Sequence, residues 1–203
     1  MLKAHHNRFY LGFIVSWYRL MTRIYFRGIR VVGKPAVEAK PLLLLQNHFS
    51  WWDGYWSLYL STRIFRKKFH VMMLEDELKK RMFLNRCGVY SVKKNNREAI
   101  ESLNYSVQLL ADPNNLVTIY PQGEITSLNR QELKFGKGPE WVARHSKNEI
   151  AICFAVILTD YFSEPKPLVT MYLKHYTGGF SSLEMQTEYN HFYRECSRQQ
   201  IPD

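Results

Sequence analysis

The stretch LLLLQNHFSWWDGYW at residues 42–56 decides the fold prediction. Its four leucines form a short continuous apolar run, which is typical of a strand that is buried on both faces of a sheet. The run ends at Gln46, and polar side chains follow at Asn47, His48 and, five positions after the histidine, Asp53. In open α/β sheets, reactive groups collect beyond the carboxyl ends of the strands. The stretch therefore predicts a buried strand that leads directly into a functional site.

The pattern beyond Pro41 is a series of short apolar runs separated by amphipathic stretches. This alternation predicts a single layered α/β domain, residues 35–203, with a largely parallel central sheet flanked by helices. A polar helix is predicted for the tail from Ser181. Strands are predicted at residues 42–46, 69–74, 89–93, 116–120, 150–158 and 168–175, and helices at residues 54–65, 75–85, 96–111 and 139–146.

Composition limits the classes of partner. The chain has 203 residues with a net charge of +10, so we expect an anionic partner such as a membrane surface, nucleic acid or a phosphorylated substrate. Cys87, Cys153 and Cys196 have no metal-type or redox spacing, which favours reduced thiols in a cytoplasm-facing protein. No apolar run approaches the roughly 20 residues that a membrane span requires. The N-terminus also lacks the layout of a signal peptide.

Residues 1–34 are basic, and the first acidic residue is Glu38. A helix in this segment would be amphipathic, which predicts a membrane-interface segment that holds the protein at the cytoplasmic face as a peripheral or monotopic protein. The alternative is a helix packed on its own domain with a solvated basic face. No nucleic-acid-binding motif accompanies the charge, so nucleic acid is not an expected partner. The apolar face would carry Phe13, Ile14, Trp17, Leu20, Met21 and Ile24, and the opposite side Arg8, Arg19, Arg23 and Arg30.

His48 and Asp53 are the candidate catalytic pair. A neutral imidazole can accept a proton near pH 7, and a carboxylate at the start of the next helix is favoured by the helix dipole. Across a tight turn, Asp53 would fix the tautomer of His48 and stabilise its imidazolium form. The chain has no G-x-S-x-G motif, and Ser50 has no turn glycines to present it as a nucleophile. We therefore expect His48 to deprotonate a substrate hydroxyl that attacks an activated acyl group; the alternative is a loop histidine beside a helix-capping aspartate.

Residues 47–53, NHFSWWD, resemble the N-H-x-x-x-x-D motif of the glycerophospholipid (lysophospholipid) acyltransferase superfamily, and in particular its 1-acylglycerol-3-phosphate acyltransferases. Residues 88–94 resemble the second block of that family, with Lys94 in the place of an acceptor-binding arginine and Arg97 one turn later. The apolar run at residues 150–158 takes the place of the fourth block. The resemblance covers roughly residues 10–160.

The third block of the family, F-P-E-G-T-R-S, resembles residues 120–127, YPQGEITS. Proline and glycine are kept, and they imply a tight turn that brings backbone N–H groups close to substrate. Gln122 replaces the acid, Glu124 replaces the threonine, and Ile125 replaces an arginine that the family links to the acceptor phosphate. These departures leave acyl transfer intact and put lysophosphatidic acid in doubt as the acceptor.

The resemblance implies transfer of a fatty acyl group from acyl-CoA or acyl carrier protein to the hydroxyl of a lysophospholipid or related lipid acceptor. His48 would be the general base and Asp53 its orienting partner, with no cofactor beyond the thioester co-substrate and no metal. The implied substrate-binding residues are Asn47, Lys94, Arg97, Tyr120, Pro121, Gln122, Gly123 and Glu124.

Four aromatic side chains lie at residues 51–56, namely Trp51, Trp52, Tyr55 and Trp56. We expect them to line an acyl or lipid groove beside the base; the alternative is that about half of them pack in the core. Two rival functions stay open. One is a catalytically silent, membrane-associated lipid-binding protein on the same fold, and the other is a serine-type lipid hydrolase.

Overall fold

The computed structural model describes residues 1–33, 35, 39–93, 96–147 and 149–200, with the backbone alone for Asn96 and Arg97. Within these ranges seven strands form one sheet in the order β1-β7-β6-β2-β5-β3-β4. The strands are β1 (Gly28–Val32), β2 (Leu42–Gln46), β3 (Lys68–Leu74), β4 (Val89–Val92), β5 (Asn115–Ile119), β6 (Ala151–Asp160) and β7 (Leu168–Tyr176).

Helices lie between most of the strands. The second helix continues without a break into one segment of wider π-helix, Leu60–Phe65. The helices are α1 (Arg8–Tyr25), α2 (Asp53–Tyr59), α3 (Glu75–Lys79), α4 (Met82–Asn85), α5 (Asn96–Leu109), α6 (Gly138–His145) and α7 (Ser182–Gln199).

The sheet is mostly parallel. β2 pairs in parallel with both β5 and β6, and β3 pairs in parallel with both β4 and β5. β7 is antiparallel to β6, and β1 extends the sheet in parallel with β7. The α/β fold with a largely parallel sheet flanked by helices, which the alternating apolar runs predicted, is confirmed.

β2 is the central strand, and its five residues are all buried. Its side chains alternate between the two faces of the sheet. Leu42 and Leu44 pack in the core that includes Ile14 of α1 and Trp56 of α2, whereas Leu43 and Leu45 pack in the core that includes residues of α6 and α7. The chain leaves β2 towards β3, β4 and β5 on one side and later forms β6 on the other. The carboxyl end of β2 is therefore a topological switch point, which is where α/β sheets place their sites.

The N-terminal segment differs from its prediction, because the helix ends at Tyr25 rather than continuing to residue 34. Residues Gly28–Val32 form the edge strand β1, for which no strand was predicted. β-Branched residues at positions 29, 31 and 32 favour the extended conformation there. The helix predicted at residues 75–85 is also divided, into α3 and α4.

α1 packs on the domain through a face centred on Ile14, which is buried, and Tyr18, whose ring stacks on Tyr55 at a centroid distance of 4.3 Å. The Asn7 side chain caps the start of the helix. Most of the predicted apolar face does not take part in this packing. Of that face, Phe13, Trp17, Leu20 and Ile24 are exposed, from 46% at Ile24 to 61% at Phe13, and Phe9, in the first turn, is 79% exposed. None of the helices in the described ranges has the length and apolarity to cross a membrane.

Candidate active site

His48 and Asp53 lie at the carboxyl end of β2 and the first turn of α2. The Nδ1 atom of His48 is 2.6 Å from Oδ2 of Asp53. The Asp53 side chain is completely buried, whereas 23% of the His48 side chain is exposed. Among the described residues, no group is hydrogen-bonded to Nε2 of His48. One ring nitrogen is therefore held by the carboxylate, and the other is available to a substrate.

The turn between the two residues is folded around the Asp53 carboxylate. Oδ2 accepts the backbone N–H groups of Phe49, at 2.6 Å, and Ser50, at 2.8 Å. Oδ1 accepts the Ser50 hydroxyl at 3.0 Å. These donors stabilise a buried negative charge that would otherwise be costly to desolvate. Because the Ser50 hydroxyl donates to Asp53, it is not positioned as a nucleophile against His48, which argues against the serine-hydrolase alternative.

A buried polar network supports α2 beneath the site. The Ser57 hydroxyl donates to Oε1 of Gln46 at 2.8 Å, and Nε2 of Gln46 donates to the Asp53 carbonyl oxygen at 3.2 Å. The Tyr120 hydroxyl lies 3.0 Å from the Ser57 hydroxyl. Burial raises the pKa of Tyr120 well above its usual range, and the nearby Asp53 carboxylate acts in the same direction, so this phenol stays neutral.

Tyr120, which was predicted to bind substrate, stacks its ring on the imidazole of His48. The ring centroids are 4.2 Å apart and the planes differ by 14°. A phenol face beside the imidazole would favour the protonated form that a general base passes through. This contact has no signal in the sequence, because the two residues are 72 positions apart, just beyond the ends of two different strands.

Gln122 holds the backbone of His48. Its Oε1 accepts the His48 N–H at 2.9 Å, while its Nε2 donates to the His48 carbonyl oxygen at 3.2 Å and to the Thr126 hydroxyl at 2.7 Å. The Thr126 N–H also donates to the His48 carbonyl, at 2.9 Å. Residues 120–126 thus contact residue 48 directly, through a glutamine that positions the base.

The turn that Pro121 and Gly123 were predicted to form is present. The Gly123 N–H donates to the Tyr120 carbonyl oxygen at 3.0 Å, and Gly123 has a φ of +71°, a conformation that glycine adopts without strain. Pro121 is buried, and its carbonyl oxygen accepts the Gly136 N–H at 2.8 Å. Glu124 is exposed beside the turn. In the described structure, the N–H groups of Glu124 and Ile125 have no acceptor.

Asn47 was also predicted to bind substrate, but its side chain is hydrogen-bonded to the backbone of β6. Nδ2 donates to the Ile157 carbonyl oxygen and Oδ1 accepts the Ile157 N–H, both at 2.8 Å. The amide therefore extends the pairing of β2 with β6 by one position, and with 2% of Asn47 exposed it has no access to a ligand.

The four aromatic residues divide between core and surface. Trp56 is fully buried and Tyr55 nearly so, whereas Trp52 is half-buried and Trp51 is 65% exposed. Trp56 therefore cannot line a groove, which corrects the groove prediction for that residue, and the alternative of partial core packing applies to it. Trp51 and Trp52 lie beside Tyr18 of α1, at centroid distances of 5.9 and 6.2 Å.

Two predicted substrate-binding side chains lie outside the described part of the structure. Lys94 is not described, and only the backbone of Arg97, in α5, is described. β4 ends at Val92 on the same edge of the sheet as β2, since the strands from β2 to β4 are parallel.

In the described ranges, no three His, Cys, Asp or Glu side chains converge as metal ligands would.

Comparison with known proteins agrees with this geometry. A family profile described as Acyltransferase matches residues 28–171, which is more than half of the chain and includes every strand from β1 to β6. Comparison with curated proteins finds no match. The match includes both members of the His48–Asp53 pair and the Tyr120 to Thr126 turn beside them. By this match, the chain belongs to the Acyltransferase family.

Proposed function

We propose that this protein moves a fatty acyl group from an acyl-CoA or acyl-ACP thioester to the hydroxyl of a lysophospholipid or related lipid acceptor. The observation that carries the proposal is the His48–Asp53 pair. Nδ1 of His48 is 2.6 Å from a completely buried carboxylate, and Nε2 is left without a protein partner among the described residues. In this arrangement the carboxylate orients the imidazole through Nδ1, so that Nε2 can act as a general base.

In the proposed mechanism, Nε2 of His48 takes the proton of the acceptor hydroxyl. The hydroxyl oxygen then attacks the thioester carbonyl carbon, and the carbonyl oxygen becomes an oxyanion. The imidazolium is stabilised by Asp53 and by the stacked ring of Tyr120. When the tetrahedral intermediate collapses, the C–S bond breaks and His48 returns the proton to the leaving sulfur. No protein nucleophile is required.

The oxyanion needs hydrogen-bond donors that are already in place. The N–H groups of His48, Phe49 and Ser50 are bonded within the protein, to Gln122 and Asp53. The N–H groups of Glu124 and Ile125 have no acceptor in the described structure and lie next to the Gly123 turn. We assign these two amides as the oxyanion donors.

Membrane association is the second part of the proposal. The exposed apolar face of α1 supports it, since a contiguous row of large apolar side chains on a soluble surface marks an interaction site. Arginines on the flank of that helix favour an anionic surface. In this proposal the protein is peripheral or monotopic at the cytoplasmic face, and the three cysteines, all free thiols, agree with that compartment.

The reaction class is tested by thiol release from a long-chain acyl-CoA and from an acyl-ACP. The acceptors are lysophosphatidic acid, other lysolipids and a phosphate-free glycolipid. We expect release with the wild type and its loss with His48→Ala, while the melting temperature and vesicle binding of the variant stay unchanged. Near-normal turnover by His48→Ala would remove His48 from the mechanism.

The same assay separates the rival function. Vesicle binding without thiol release for any donor and acceptor would favour the catalytically silent lipid-binding protein. A second variant, Ile125→Arg, restores the residue that the related acyltransferases carry at this position. An increase in turnover with lysophosphatidic acid, but not with the glycolipid, would assign the Ile125 position to acceptor recognition.

A further inference from the structure

An open pocket of about 260 Å³ lies between α1, β1 and the α2 helix with its π-helical extension. Neither His48 nor Asp53 lines it, because its lining residues on α2 and the π-helical turn run from Tyr55 to Arg63. Three of the lining residues are arginines: Arg19 and Arg23, one turn apart on α1, and Arg63.

Among the described residues, the three guanidinium groups have no carboxylate partner. In the part of the chain that the structure describes, none of them forms an ion pair with an aspartate or glutamate, in contrast to Arg27, Arg81, Arg144 and Arg194. Two of them, Arg19 and Arg63, interact electrostatically with the Tyr55 hydroxyl. Burial raises the pKa of the Tyr55 hydroxyl, and the charges of Arg19 and Arg63 oppose that shift. Positive charge from two separate helices therefore converges inside the pocket.

The other polar groups that line the pocket do not neutralise this charge. The hydroxyls of Thr22 and Thr62 donate to the carbonyl oxygens four residues earlier, those of Tyr18 and Leu58. The rest of the lining is apolar, with Val15, Ile29 and Leu58 among it. The pocket thus combines three charged donors with an apolar wall, which suits an anionic group attached to an apolar or neutral body.

Guanidinium donors favour one class of anion. Each offers paired N–H groups that match two oxygens of a phosphate, and three of them from two elements surround a tetrahedral group better than a planar carboxylate. A phosphomonoester has three unsubstituted oxygens and up to two negative charges, so it can engage all three arginines. A phosphodiester has two such oxygens and one charge.

The position of the pocket indicates where the phosphate comes from. Arg19 and Arg23 lie on the helix whose neighbouring face carries the exposed Trp17, Leu20 and Ile24. If that face enters a membrane, as the proposed function holds, the two arginines on its flank lie at the level of the lipid headgroups. A pocket of this size takes a headgroup rather than a whole coenzyme.

We propose that Arg19, Arg23 and Arg63 form a phosphate-binding site that takes the phosphomonoester headgroup of an anionic membrane lipid, distinct from the acceptor at His48. The site rests on the proposed membrane association and not on the acyl-transfer chemistry. It would bind the protein selectively to membranes that contain such a lipid and would fix the orientation of α1 on them.

The test compares a pocket variant, Arg19→Gln/Arg23→Gln/Arg63→Gln, with a charge-matched control, Arg8→Gln/Lys147→Gln/Arg198→Gln. All six side chains are exposed, so both variants should fold, which melting curves check. Binding is measured to phosphatidylcholine vesicles that contain either phosphatidic acid, a phosphomonoester, or the same fraction of phosphatidylserine, a phosphodiester. Inorganic phosphate and coenzyme A are titrated separately by calorimetry.

We expect the wild type and the control to bind the phosphatidic acid vesicles about tenfold more tightly than the phosphatidylserine vesicles, and the pocket variant to lose this preference. If the three arginines affect the binding of coenzyme A or inorganic phosphate but not of the vesicles, the pocket binds phosphate. The proposal that its ligand is a membrane lipid is then wrong. If the pocket and control variants behave alike with every probe, the proposal is wrong. These readouts need no turnover, so they are independent of the thiol-release assay on His48→Ala.

Discussion

The side chain of Gln122 forms hydrogen bonds with both polar backbone groups of His48, accepting from its N–H at 2.9 Å and donating to its carbonyl oxygen at 3.2 Å. An amide is suited to this place because it carries an acceptor and a donor on the same planar group. A carboxylate, which the F-P-E-G-T-R-S motif has at this position, offers acceptors alone. In this chain the neutral side chain of Gln122 therefore positions His48 by bonding to both of its backbone groups.

Gln122→Glu should lower activity at neutral pH. The ionised carboxylate keeps the bond from the His48 N–H but loses the bonds to the His48 carbonyl and to Thr126, and it faces the carbonyl oxygen with negative charge. Loss of one or two such bonds corresponds to about a tenfold fall in kcat if the base is displaced. Steady-state thiol release measures the effect.

Gln186→Glu is the matched control for that substitution. Oε1 of Gln186 accepts the Phe135 N–H at 2.8 Å, and a carboxylate keeps that bond. The control should therefore retain its turnover and melting temperature. Equal losses in the two variants would mean that the effect of Gln122→Glu is general destabilisation rather than displacement of His48.

Asp53→Asn should fold and lose most of its activity. The amide oxygen can still accept the N–H groups of Phe49 and Ser50, so the turn persists, but the negative charge that stabilises the imidazolium is gone. We expect kcat to fall by at least about a hundredfold, since the carboxylate both orients the ring and stabilises its charged form. Circular dichroism checks the fold and thiol release checks the activity.

Ser50→Ala separates catalysis from support of the turn. It removes the hydroxyl that donates to Oδ1 of Asp53 at 3.0 Å and leaves the charge in place. A loss of only a few fold is expected, with a fall of about 1 kcal/mol in the free energy of unfolding. If Ser50→Ala were as inactive as Asp53→Asn, the serine would be a reacting group and the serine-hydrolase alternative would return.

The central strand of the fold was predictable because the burial of β2 requires an apolar sequence. A strand that is buried on both faces must be apolar at every position, so LLLLQ at residues 42–46 identified the strand without error in its bounds. β1 was missed because its residues are half-buried at the sheet edge and follow directly on a strong helical pattern. A short edge strand has no periodicity of its own and is specified by its pairing with β7, which lies far along the chain.

The pair at the base of the site was predictable because its members are five residues apart and local turn geometry decides whether they meet. The contacts of Gln122 and Tyr120 with His48 span more than 70 positions, and only the placement of β5 beside β2 brings them together. Asn47 was misassigned for a related reason. An asparagine beside a catalytic histidine has the same sequence signature whether its amide faces a ligand or, as here, Ile157 of the next strand.

Charge on the exposed face of α1 should abolish vesicle binding without unfolding the protein. Phe13 and Trp17 are exposed, so Phe13→Glu/Trp17→Glu removes little packing and the melting temperature should stay close to that of the wild type. If each ring enters the interface, its loss costs about 2 kcal/mol, roughly a thirtyfold weakening per residue. Vesicle sedimentation measures the binding.

Leu183→Glu is the control for surface charge. Leu183 is 72% exposed on α7, which packs on the opposite face of the sheet. This variant should bind vesicles as the wild type does. Binding that survives in Phe13→Glu/Trp17→Glu would show that α1 is not the membrane contact.

His70 should make the protein sensitive to mild acid. It is 2% exposed, its two ring nitrogens have no hydrogen-bond partner among the described residues, and the His6 ring lies against it at a centroid distance of 4.7 Å. Burial lowers the pKa of His70 from 6.5 to about 3, with the neighbouring His6 acting in the same direction. Below pH 6.5, His70 therefore binds a proton in the unfolded chain but not in the folded protein. The free energy of unfolding falls as the pH drops from 6.5 towards 3.

The size of this effect follows from the linkage of proton binding to folding. Between pH 6.5 and about pH 5 the loss in the free energy of unfolding from His70 is about 2 kcal/mol. Urea unfolding across this range should give a shallower pH dependence for His70→Gln than for the wild type. His175→Gln, at an exposed position on β7, should keep the wild-type slope. Identical slopes in wild type and His70→Gln would mean that His70 is protonated in the folded protein, and that its burial beside His6 does not hold in solution.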